Sequence, residues 1–175
     1  MRTEIRGQTF DQERALYNAQ QTDIIDCVFA GPADGESVLK EARDITLKNC
    51  AFSLRYPLWH VQGFAMEHST MDELTRAAIW YARDGRIIDC TLGGVKAVRE
   101  CGNIALARCT IVSPEFGWKS RGVSLTDTDV TAEYIFLDSR DISLKNVKMK
   151  GKYSFQYVED LTIENSVLEP VKWWM

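Results

Sequence analysis

Glu41, His60, Tyr81, Glu100 and Lys119 follow one another at intervals of 19 to 21 residues, and each stands directly after Lys40, Trp59, Trp80, Arg99 and Trp118 respectively. A carboxylate and an imidazole held in register can move a proton, which makes Glu41 and His60 the candidate acid and base. Flat rings beside charged groups suit sugars. Trp59, Trp80 and Trp118 would stack on pyranose faces, while Arg14, Lys40, Arg99 and Lys119 meet hydroxyls or carboxylates. The expected ligand is an oligosaccharide or another polar molecule. His60 and His68, the only two histidines, stand at different points of this spacing, so no shared metal is expected.

Other chemistries lack their residues. The chain has no Gly-rich phosphate loop, no Gly-x-Ser-x-Gly and no paired Cys-x-x-Cys. The NTD, GHG and RIK phrases of polygalacturonases and the Arg-x-Pro-x-x-Arg of pectate lyases are also missing. No cofactor is expected. A net charge of −4 argues against nucleic-acid and anionic-membrane partners, which need a basic surface. The first residues carry no apolar signal core and no later run approaches membrane-spanning length, so a cytoplasmic location is expected. Five cysteines at scattered spacings indicate neither a disulfide framework nor a zinc site.

The spacing belongs to the whole chain. With Cys50 as marker, the equivalents are Cys27, Ser69, Cys90, Cys109, Thr128, Val147 and Ser166, at steps of 19 to 23 residues. A fixed period near 19 carried by apolar alternation is the signature of a strand solenoid. The phrases RDITLKNCAF at 43–52, RDISLKNVKM at 140–149 and EDLTIENSVL at 159–168 show the unit best.

Each unit reads as three short strands. The first is of the type PLWHV at 57–61 or AIWYA at 78–82, and the series starts with ALYNA at 15–19 and VLKEA at 38–42. A turn column follows through Asp44, Gly63, Asp84, Asn103, Gly122, Asp141 and Asp160. The second strand is of the Ile45–Leu47 type. A bend column then holds Asp26, Asn49, His68, Asp89, Arg108, Asp127, Asn146 and Asn165, where Asn and Asp accept a left-handed residue. The third strand carries Cys50 and Phe52 inward.

The fold expected is therefore all-β: a right-handed parallel β-helix of about eight rungs, residues 1–175 forming one domain. Eight in-register copies speak against a β-sandwich. A quadrilateral helix of five-residue steps would need a repeated small-polar-Leu phrase that is absent. Ile45, Leu47, Cys50, Phe52, Ile104, Leu106, Cys109, Ile111, Ile142 and Leu144 should form the core, and all five cysteines should be reduced and buried. Insertions at 30–37 and 72–77 enter just before the first strand, the side on which the ligand site is expected. Trp173, Trp174 and Met175 would begin a further first strand, leaving an open end suited to a longer solenoid or to a homo-oligomer.

The phrases ERALY (13–17), GESVLKE (35–41), YPLWH (56–60) and AAIWY (77–81) resemble a bacterial family of uncharacterised single-stranded right-handed β-helix proteins, pectin-lyase-like in fold. The resemblance implies fold and brings no catalytic residue with it. It marks Glu13, Arg14, Glu36, Lys40, Glu41, Trp59, His60, Trp80 and Tyr81. The functional expectation is carbohydrate binding or processing on the first-strand face of the early rungs. The alternative is a non-enzymatic scaffold that stacks through its end strands.

Overall fold

Left-handed residues, placed at the same points of every repeat, fold this chain into a right-handed parallel β-helix. The computed structural model describes residues 1–170; the expected strand at Trp173–Met175 lies outside the described residues. Among the described residues the second strand of the repeat occurs nine times, beginning with the four-residue Thr3–Arg6 and ending with the six-residue Glu159–Glu164. The first copy precedes the eight marked by the Cys27 column. In two rungs the strand runs through the bend without a break, as Arg121–Thr131 and Arg140–Lys150. Stacked at about 4.8 Å per rung, nine rungs make a prism roughly 38 Å long. Among the described residues no helix is long and apolar enough to cross a membrane.

The pairing is parallel and in register throughout. Ile45, Phe64, Gly85, Ile104, Val123, Ile142 and Leu161 are successive partners. A one-residue slip would turn every one of these side chains to solvent, so burial fixes the register. All ten core residues expected from the pattern are buried, and all five cysteines are free and buried. The Ser and Thr members of the cysteine columns do more than fill volume. After a corner the backbone N–H turns along the prism axis, and the hydroxyl one rung on accepts it. Cys50 N donates to Ser69 Oγ at 3.1 Å, Cys109 N to Thr128 Oγ1 at 3.3 Å and Cys101 N to Ser120 Oγ at 3.2 Å.

The bend column from Asp26 to Asn165 is left-handed at all eight positions, with φ from 47° to 55°. So is the turn column from Asp44 to Asp160. A third left-handed column is Asn18, Glu41, His60, Tyr81, Glu100, Lys119, Asp138 and Tyr157, with φ from 49° to 62°. These are the residues expected at the end of the first strand. That strand is consequently shorter than the sequence suggests: Leu58–Trp59, Ile79–Trp80 and Val98–Arg99. In the two earliest rungs, at 15–19 and 38–42, turns replace it.

A fourth corner passes through Arg14, Ser37, Tyr56, Ala77 and Lys96, then moves two residues later to Gly117, Phe136 and Phe155. Gly117 takes φ 78°, which costs a glycine nothing. The third face breaks at this point into two separate three-stranded sheets, the later one made of Glu115–Phe116, Tyr134–Ile135 and Tyr153–Ser154.

Candidate functional site: a groove between two corners

The third corner column and the turn column stand three residues apart, as in His60 and Gly63 or Tyr81 and Asp84. Of the two residues between them the first points inward: Ala42, Val61, Ala82, Cys101, Ser120 and Ser139 are all buried. The second forms an outer column of parallel partners: Arg43, Gln62, Arg83, Gly102, Arg121 and Arg140. Two close corners make a concave edge, and this edge is a groove running along the axis.

Three hollows in series trace it, of about 360, 360 and 240 Å³. The first holds Glu41, His60 and Tyr81 beside Arg43 and Arg83. The second holds Arg83, Asn103 and Arg121 over Gly102, and the third holds Lys119, Asp138 and Tyr157. Gly102 is buried, and a Cβ there would stand 2.6 Å from Arg83 Nη1, so the guanidinium lies along the groove floor.

The expected site residues divide between two columns. Glu41, His60, Tyr81 and Lys119 line the groove. The Trp column stands beside it: Trp59 and Trp80 close on each other, and Trp118 borders a separate hollow of about 200 Å³ with Phe116, Tyr134 and Leu137. Trp59 and Trp80 stack at 4.9 Å and 5°, and Tyr56 packs against both. Lys40 Nζ lies 4.3 Å from the Trp59 ring, and Arg99 lies between Trp80 and Trp118 at 4.7 and 5.3 Å. Lys96 covers Trp118 at 4.6 Å. The three indole nitrogens are covered and meet no acceptor. Ring faces oriented along the axis are thus spent on neighbouring rings and cations. Arg14 sits over Tyr17 at 5.8 Å, and Arg99 pairs with Glu100 at 3.1 Å.

In the groove wall, Tyr17 Oη donates to Glu41 Oε2 at 2.5 Å, and this bond holds the Glu41 carboxyl below its usual range. Glu41 is therefore an ionised acceptor. A general acid would have to keep its proton. The His60 and Tyr81 rings stack at 5.0 Å, and a hydrogen bond to Glu100 raises the Tyr81 phenol. His68 lies in the bend column, with Nε2 3.8 Å from Asp89.

The insertion at 30–37 packs away from the groove: Gly35 N donates to Asp11 O at 2.7 Å and Ala33 N to Asp11 Oδ2 at 3.1 Å. The groove-lining arginines are side chains that the column analysis passed over. Their signal is a recurring tripeptide: Ala42-Arg43-Asp44, Ala82-Arg83-Asp84, Ser120-Arg121-Gly122 and Ser139-Arg140-Asp141.

Among solved structures, a trypsin-treated form of QnrB1, a plasmid-mediated fluoroquinolone resistance protein, is similar over 94% of this chain and 92% of that one. The identity is 14% and the TM-score 0.39. No curated protein matches the chain. The family described as "Protein of unknown function (DUF3737)" matches residues 3–173, and the chain belongs to that family.

Proposed function

We propose that the protein binds an oligosaccharide lengthwise in the groove between the two corner columns. The observation that carries this reading is the continuity of the groove, since neighbouring hollows share Arg83 and then Arg121 and Arg140. Its lining mixes Arg and Lys donors with carboxylate and amide acceptors, the combination that hydroxyl-rich ligands require. An ionised Glu41 would serve as a hydrogen-bond acceptor for sugar hydroxyls. A glycan-array screen followed by calorimetry tests it. His60→Ala and Lys119→Ala should weaken binding without lowering Tm, and Trp80→Ala should lower Tm without removing binding. An array with no bound glycan, or binding that depends on Trp80 and not on the groove wall, would refute the reading.

A second reading has one observation in its favour. Leu161, Ile163 and Leu168 continue apolar columns that are buried one rung earlier at Ile142, Leu144 and Met149, yet here they are 37–47% exposed. A scaffold that stacks a second copy on this rung would cover them. Light scattering across a concentration series decides it: a constant monomer mass excludes assembly of this kind.

A further inference from the structure

Arg2, Arg6, Arg55, Arg99, Arg108 and Arg140 each pair with a carboxylate. Arg43, Arg83 and Arg121, exposed in the groove, pair with none among the described residues. The carboxylates nearest them in sequence are engaged elsewhere. Glu41 accepts from Tyr17, Asp44 pairs with Arg2 at 2.9 Å, and Glu100 pairs with Arg99. Asp84 accepts from Gln62 and Asn103. Glu41 and Asp84 accept from neutral donors and keep their charge, so the stretch from Arg43 to Arg121 sets three guanidiniums against these two carboxylates, a net positive charge, while the unpaired Asp138 and Asp141 place the opposite sign toward the far end.

Parallel register spaces the backbone positions of these three arginines. Arg43, Gln62, Arg83, Gly102 and Arg121 are consecutive partners, so an arginine recurs at every second rung. At about 4.8 Å per rung, the repeat is about 10 Å. One unit of an extended sugar chain spans about one rung, so alternate units face arginines. Between them stand Gln62, an amide, and Gly102, whose missing side chain leaves room for the Arg83 guanidinium. A planar guanidinium without a protein partner takes two oxygens of a carboxylate or sulfate.

We propose that the groove ligand is an acidic polysaccharide carrying an anionic group on alternate sugar units, bound through Arg43, Arg83 and Arg121. This rests on the groove reading above and names its ligand class. The test is calorimetry with four probes of equal length. Hyaluronan oligosaccharide carries a carboxylate on alternate units, sulfated chondroitin adds a sulfate on the units between, oligogalacturonate carries a carboxylate on every unit, and cello-oligosaccharide carries none.

Hyaluronan should bind at least tenfold more tightly than the neutral chain, and the extra sulfate of the chondroitin probe, on the intervening units, should not tighten binding. Arg83→Ala and Arg121→Ala should each weaken that binding at least tenfold with Tm unchanged. Gly102→Ala, which displaces Arg83, should weaken it too. Equal binding of the neutral chain, with arginine variants that behave as wild type, would overturn the acidic class and leave the groove reading standing. Tighter binding of oligogalacturonate or of sulfated chondroitin would overturn the alternate spacing. Tighter binding of a single-stranded oligonucleotide would overturn the sugar. If no glycan binds, both readings fall.

Discussion

The Trp59 and Trp80 rings lie 4.9 Å apart and within 5° of parallel, with Lys40 closing one end of the pair and Arg99 the other. A ring held this way contributes to the prism and offers no free face. Trp80→Ala should therefore destabilise the protein by about 2–3 kcal/mol, less than a fully buried ring because Trp80 is half-buried. Chemical denaturation measures it, and a loss under about 0.5 kcal/mol would show the ladder to be dispensable.

Gly85 faces Phe64 across one rung of the core, and a Cβ at Gly85 would stand 2.2 Å from Phe64 Cζ. Gly85→Ala should cost about 1–3 kcal/mol through overpacking. Combining it with Phe64→Leu should give back part of that loss, because the shorter side chain vacates the space. A double-mutant cycle reads the coupling, and strict additivity would mean the two side chains do not compete.

The buried thiols set an alkaline limit. Burial pushes the Cys90 and Cys101 thiols up to about 12. Below the ordinary thiol value of about 9 both folded and unfolded states keep their protons, so stability does not respond. Above it the unfolded chain ionises first and stability falls as pH rises. For Cys101 the loss should reach about 1.4 kcal/mol near pH ~10. Cys101→Ala should show that much less decline between about pH 8 and pH 10, and native labelling of the wild-type thiols near pH ~8 should be slow.

Asn146 sits in the bend column at φ 55°, with its Nδ2 donating to Asp127 Oδ1 at 3.1 Å. Asn146→Val should cost about 1–2 kcal/mol, because a β-branched residue resists the left-handed region. Asn146→Gly keeps the conformation and loses only an exposed hydrogen bond, so its change should stay within about 0.5 kcal/mol. Similar losses in both variants would trace the effect to the side-chain ladder and not to the backbone.

The period, the core columns and the Asp/Asn bends are written in the sequence because each is a local demand. Ile45 and Leu47 must alternate to be buried together, and Asn49 must sit where the backbone turns left-handed. The same local rules leave the site undecided. Trp59 and His60 are adjacent, and alternation would send only one of them outward. The left-handed His60 resets that alternation, so both reach the surface on different faces. His, Tyr, Glu and Lys give no local sign that they occupy such corners. Only the stacked rungs bring the arginines of the Ala-Arg-Asp phrases into one groove and seal the Trp faces against one another. Those contacts join residues about one repeat apart, and their direction depends on every corner between them.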